Sequence, residues 1–264
     1  MKLLTETITL KNGVEMPIIG YGTWQIFEGK KAIKTFQNAL DIGYRHIDTA
    51  QMYENESSVG KAIKASPYHH SDIFITSKLL PGTNTYQGTI NAYEDSLKKL
   101  EVDVIDLYLI HAPLPWDDNA NIQVWKALEN LYLNKRVRAI GVSNFSVQDL
   151  KKLIAKTSIT PHVNQIRFHV GFDQSDIIAF CKEKDIVVEA YSPLGKGSIL
   201  ELPQLVKMAK KYNTTPAQLA IRFCLDMGTI PLPKSQNVHR MKENADLDFK
   251  ILKDDLEALS KIRA

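Results

Sequence analysis

Eight short runs rich in aliphatic and β-branched residues alternate with longer stretches of helical period, and this alternation restricts the possible fold more than any other feature of the chain. The runs are Ile18–Gly22, Arg45–Asp48, Ile73–Lys78, Val104–His111, Val137–Ser143, Val163–Arg167, Ile186–Tyr191 and Thr229–Leu232. Strands and helices in strict alternation build βα units around a parallel sheet. The residues that end the runs and are free for chemistry, Gly22, Asp48, Lys78, His111, Ser143, Gln165, Tyr191 and Lys234, recur at roughly one βα unit. The last interval is longer and holds two helical patterns, Leu205–Tyr212 and Pro216–Met227. The expected fold is therefore α/β, a (β/α)8 TIM barrel with an extra helix before the last strand, and 264 residues suit one such domain, 1–264. An open doubly wound sheet is disfavoured, because Gly20-Tyr21-Gly22 and Gly195-Lys196-Gly197 both lack the third glycine of a dinucleotide fingerprint. Ahead of the first run, Ile8-Thr9-Leu10 and Val14-Glu15-Met16 flank Lys11-Asn12-Gly13, where Asn12-Gly13 signals a two-residue turn. That hairpin is expected to close the bottom of the barrel. Ser146 followed by Asp149 predicts a capped helix that buries Leu150 and Leu153.

Barrel strands end on one face, so the polar residues at those ends are the candidates for chemistry. Asp48, Tyr53, Lys78 and His111 bring an acid, a phenol, an amine and an imidazole to that face, a set able to deliver a proton to a carbonyl oxygen. A free phenol has a pKa of about 10 and is a poor acid at neutral pH. An ammonium ~4 Å away at an effective dielectric of ~20 favours the phenolate by about 4 kcal/mol, roughly three pK units before desolvation opposes it. Lys78 is the candidate for that ammonium, and Asp48 the group that keeps it charged. His111, as a neutral imidazole, suits a hydrogen bond to a carbonyl oxygen.

The charge balance, 33 basic against 30 acidic residues, shows no long basic stripe, which argues against nucleic acid as a partner. No apolar stretch approaches the roughly 18 residues of a membrane span, and no signal-peptide core follows Met1. Cys181 and Cys224 fall in apolar helical patterns, as buried thiols in a reducing compartment would, so a cytoplasmic location is expected. A monomer is the expected state. The histidines show no metal-ligand spacing, and no metal is expected.

The motifs resemble those of the aldo-keto reductases, from the Asn12-Gly13 hairpin to Asn244. They are Gly43-Tyr44-Arg45-His46-Ile47-Asp48-Thr49-Ala50-Gln51-Met52-Tyr53-Glu54-Asn55-Glu56, Gly141-Val142-Ser143-Asn144-Phe145, Val163-Asn164-Gln165, Ala190-Tyr191-Ser192-Pro193-Leu194-Gly195, and Pro233-Lys234-Ser235 with Arg240 and Glu243-Asn244. The resemblance implies NADPH/NADP as cofactor and Asp48, Tyr53, Lys78 and His111 as the catalytic tetrad. It also implies that Tyr191 stacks on the nicotinamide and that Ser143, Asn144 and Gln165 hold the carboxamide. Lys234, Ser235 and Arg240 would take the adenosine 2′-phosphate, with Glu243 and Asn244 near the adenine. Gly22, Thr23, Trp24, Asp48, Ser192, Leu194 and Gly195 complete the implied cofactor contacts, and Trp24, Tyr53, His111 and Ala112 the implied substrate contacts. The substrate expected is a small carbonyl compound, reduced to an alcohol with Tyr53 as general acid.

Some residues depart from the family pattern. Ala112 stands where tryptophan is common after the histidine, which enlarges the expected pocket. Gln25 follows Trp24 where some relatives carry lysine, and Arg167 stands where glutamate is common, without an explanation in the sequence. One alternative function is a non-catalytic NADPH-binding regulatory subunit. Another, a barrel hydrolase, needs a second acid beside Asp48, and none is evident at the other strand ends.

Overall fold

The computed structural model describes residues 2–263. An antiparallel pair, β1 (Thr7–Thr9) and β2 (Glu15–Pro17), precedes eight strands: β3 (Tyr21–Gly22), β4 (His46–Asp48), β5 (Phe74–Leu79), β6 (Ile105–Ile110), β7 (Val137–Ser143), β8 (Val163–Arg167), β9 (Val187–Tyr191) and β10 (Ile230–Leu232). Each of the eight pairs in parallel with the next in sequence. The helices between them are α1 (Lys30–Ile42), α2 (Glu56–Lys64), α3 (Tyr86–Leu100), α4 (Asp118–Leu133), α5 (Val147–Lys156), α6 (Ser175–Glu183), α7 (Pro203–Lys211) and α8 (Pro216–Asp226), followed by α9 (Val238–Ala245) and α10 (Lys253–Ser260). The extra helix before the last strand is α7. The fold is the expected (β/α)8 barrel.

The first and last strands meet through Gly20 N donating to Pro231 O and Gly22 N donating to Pro233 O, each at 3.1 Å. Pro231 and Pro233 carry no N–H, so the last strand only accepts across this seam, and the ladder there stays sparse. Glycine permits the approach: a Cβ at Gly22 would stand 3.0 Å from Leu232 O, and one at Gly20 2.7 Å from His46 Nδ1. The first run is shorter than expected because Ile18 N bonds Glu6 O and so extends the hairpin instead of the barrel.

The hairpin plugs the barrel's lower end. Leu10 and Met16 bury against Phe74, Leu107, Leu109, Ala139, Val163 and Ile230, and Asn12 Nδ2 donates to Arg138 O over 2.9 Å. Its turn differs from the two-residue form expected. Gly13 alone has a left-handed backbone, with φ +83°, and Leu10 exchanges bonds with Gly13 and Val14, which makes a three-residue loop with a glycine bulge.

The larger core lies between strands and helices and includes Phe36, Leu40, Tyr93, Trp125, Leu128, Leu150 and Leu153. Helix starts are specified locally: Thr85, Asp117, Ser146, Thr215 and Asn237 each accept a backbone N–H at the head of a helix. Ser146 and Asp149 form the predicted reciprocal box.

Candidate active site

Asp48 ends β4, and the chain then makes a tight 3-10 turn, Gln51–Tyr53, that returns the phenol toward the strand end. Asn55 holds this loop. Fully buried, it accepts from Thr49 Oγ1 at 2.6 Å and donates to Thr23 O and Ile26 O at 3.0 and 2.9 Å, tying the loop after β3 to the loop after β4. Asp48 pairs in register with Thr76, so Lys78, two residues on along the same face of β5, leans over the carboxylate.

Lys78 Nζ donates to Asp48 Oδ1 and Oδ2 at 2.7 and 2.8 Å, to Thr49 O at 2.9 Å and to Tyr53 OH at 3.2 Å. The lysine has no solvent exposure. Burial opposes its charge, but Asp48 and then Tyr53 outweigh burial and hold the ammonium above its ordinary pKa. Tyr53 behaves differently from the sequence expectation. Burial raises its pKa more than Lys78 lowers it, with Asp48 adding to the rise, so in the free protein the phenol stays protonated.

His111 follows β6 directly. Its ring lies edge-on to that of Tyr53, with centroids 5.7 Å apart. Burial and then Lys78 push the imidazole down to about 4, so it is neutral at pH 7. Nδ1 is buried without a partner, which leaves Nε2 as the nitrogen that serves the cleft. Asn144, held at φ 61°, donates to His111 O at 3.0 Å and accepts from Tyr191 OH at 2.9 Å, joining three strand ends.

Below the tetrad the barrel interior is polar. Gln165 Nε2 donates to Asp48 Oδ1 at 2.8 Å and to Glu189 Oε2 at 3.0 Å. Glu189 is therefore an acid linked to Asp48 through one amide, although no strand end supplies a second acid. It sits two residues inside the end of β9, in register with Gln165, where strand-end position along the chain does not mark it. Burial, then the charge on Asp48, raises its pKa to about 8. His46, 3.5 Å from Glu189 Oε1, is pushed down to about 3 by burial and Lys78. The two are thus neutral neighbours at pH 7 rather than an ion pair.

Above this layer opens a cleft of about 960 Å³ that runs from Asp48, Tyr53 and His111 past Tyr191 to Lys234, Arg240 and Asn244. Gly22, Trp24, Ser143, Ser192, Leu194, Ser235 and Glu243 also line it. Lys234 and Arg240 are exposed and, among the described residues, in no ion pair, beside the Asn237-capped N-terminus of α9. Those free donors fit a phosphate, and the unpartnered Gln165 Oε1 fits an amide N–H, so the residues present suit a phosphorylated dinucleotide. Lys196, which the sequence reading passed over, lies at the cleft with Nζ 4.6 Å from the Trp24 ring centroid. A lysine between two glycines was its only signal.

Four residues expected at the site do not line the cleft, Lys78 among them. Thr23 is fully buried and turns its hydroxyl to Asn55 Oδ1, 3.5 Å away. Gly195, at φ +54°, is packed against Ile199 and Ser198. Ala112 is half-buried and does not line the cleft. Lys78 acts from behind its wall, through Tyr53. Arg167 now has a place: its Nε contacts His169 Nε2 at 3.2 Å and its guanidinium lies 4.7 Å from the Phe172 ring centroid, so it packs the end of β8.

The Aldo/keto reductase family model matches residues 18–264, and the chain belongs to that family. It is 41% identical over 257 residues to glyoxal reductase of Bacillus subtilis, covering 97% of this chain and 92% of the relative. It is 38% identical over 287 residues to glycerol 2-dehydrogenase (NADP(+)) of Saccharomyces cerevisiae, covering 98% and 91%. A crystal structure of an aldo/keto reductase from Brucella melitensis superposes with a TM-score of 0.92 at 42% identity, covering 97% of this chain and 98% of that one.

Proposed function

We propose that this oxidoreductase reduces aldehydes and ketones to alcohols with NADPH, using Tyr53 as the general acid. The observation that carries the reading is the Asp48–Lys78–Tyr53 chain, which ends in a protonated phenol at the wall of a dinucleotide-sized cleft. NADPH, when bound, supplies the hydride that no side chain can supply. The chain's own groups provide the rest. Tyr53 gives its proton to the carbonyl oxygen, and the adjoining Lys78 ammonium stabilises the phenolate left behind. Asp48 and Thr49 O hold that ammonium in place. Neutral His111 donates from Nε2 to the same oxygen and orients the carbonyl.

Ser143, Asn144 and Gln165 would hold the carboxamide, and Tyr191 would stack on the ring. Lys234, Ser235 and Arg240 would take the 2′-phosphate, Glu243 and Asn244 the adenine, and Gly22, Ser192 and Leu194 the span between. Trp24 and His111 would bound the substrate. The named activities of the relatives support a small carbonyl substrate. Both cysteines are free and buried, which suits a reducing, cytoplasmic setting.

The test is loss of reduced-nicotinamide absorbance with NADPH and an aromatic aldehyde or glyoxal, for wild type and Tyr53→Phe. Turnover by wild type alone supports the reading. NADPH binding without turnover by either protein would favour a regulatory subunit.

A further inference from the structure

Glu189 is a costly residue to place where it is. It has no solvent exposure, its Oε1 has no hydrogen-bond partner, and it stands between Val188 and Ala190 on β9, inside a barrel that ordinarily packs branched aliphatic side chains. Its one hydrogen bond is the one it accepts from Gln165 Nε2.

That bond decides which way a side-chain amide points. Gln165 has a donor end, Nε2, and an acceptor end, Oε1. Asp48 Oδ1 and Glu189 Oε2 are both acceptors, and together they engage both hydrogens of Nε2. Oε1 is left for the cleft that Gln165 lines. Neutral or ionised, Glu189 keeps an acceptor oxygen, so the polarity survives its titration. With Asp48 alone, one N–H would be unclaimed inside the barrel, and a single acceptor oxygen, itself shared with Lys78, would have to hold the amide's orientation.

We propose that Glu189 is a positioning residue that fixes the polarity of Gln165, so that the cleft presents a carbonyl acceptor beside Asp48 and selects a dinucleotide bearing an amide N–H over one bearing a ketone. This rests on the NADPH reading above and adds to it a residue that touches neither cofactor nor substrate.

The probe is a pair of reduced dinucleotide phosphates, NADPH and its 3-acetylpyridine analogue, which keeps the ring carbonyl but replaces the amide NH2 with a methyl group. Dissociation constants are measured by fluorescence titration at pH 7 for wild type, Glu189→Gln and Glu189→Leu, with thermal unfolding to show that each is folded. Wild type is expected to prefer NADPH about tenfold, the value of one directed hydrogen bond. Glu189→Gln, which still offers an acceptor, should keep the preference, and Glu189→Leu should reduce it to about twofold or less. If Glu189→Leu does not fold, Glu189→Thr takes its place, being shorter and unable to reach Gln165. An undiminished preference in the folded Leu or Thr variant, or no preference in wild type, overturns the assignment while leaving the reductase reading intact. A wild type that binds neither dinucleotide overturns both.

Discussion

Lys78 donates to Tyr53 OH over 3.2 Å, yet the phenol is harder to ionise than a free tyrosine. Burial acts on the phenolate more strongly than the ammonium does, and the ammonium is already shared with both oxygens of Asp48. The pair therefore does not store a phenolate. It stores a proton on the tyrosine and holds a cation where negative charge will develop.

Replacing Tyr53 by Phe should lower kcat by roughly 10²- to 10⁴-fold, the usual worth of a placed general acid. Lys78 keeps its bonds to Asp48 and Thr49 O, so the stability change should stay within about 1 kcal/mol. Steady-state kinetics beside urea unfolding measures both. Equal loss of stability and activity would show that the hydroxyl is structural.

Lys78→Met should abolish turnover and also cost about 3–5 kcal/mol of stability, because it leaves the buried Asp48 carboxylate without a counter-charge. Adding Asp48→Asn should recover part of the stability and none of the activity. Urea midpoints for the two single variants and the double variant decide the point.

Lys234→Ala with Arg240→Ala should raise the Michaelis constant for NADPH by on the order of a hundredfold, since charge-assisted bonds to a phosphate are worth about 1.5–3 kcal/mol each. The constant for NADH, which lacks that phosphate, should move little. An unchanged NADPH constant would remove the phosphate assignment from this end of the cleft.

Stability should depend on pH through Glu189 and His46 in opposite senses. The Glu189 pKa is raised in the fold to about 8, so its contribution is present below its ordinary value of 4.5 and lost as pH rises toward 8. The His46 pKa is depressed to about 3, so its contribution is present above 6.5 and lost as pH falls. Between pH 6.5 and 8 Glu189 acts without His46, and wild type should lose stability there relative to Glu189→Gln. Urea unfolding of both proteins at pH 6.5 and 8 tests this, and a constant difference would refute it.

Catalysis should show no imidazole titration near pH 6.5, because His111 is held down to about 4. A kcat profile from pH 5 to 7 should be flat for that group, whereas an acid limb centred near 6.5 that disappears in His111→Gln would contradict it.

The order of residues along the chain was enough to read the barrel and the strand ends that carry chemistry. Alternation of short apolar runs with helical periods is a local property, and a parallel barrel brings every strand's C-terminal end to one face, so Asp48, Lys78, His111 and Tyr191 could be placed from position along the chain alone. The Ser146–Asp149 cap was legible for the same reason. The remaining features of the site depend on groups far apart in sequence and on which way each side chain turns. Gln165 meets Asp48 across 117 residues of chain, and the pairing of Gln165 with Glu189 comes from the register of β8 on β9. Thr23 turns to Asn55 rather than to the cleft, and the sign of the Tyr53 shift follows from the desolvation set by its packed surroundings. Periodicity says which end of a strand a residue occupies. Partners and burial exist only once the barrel has closed.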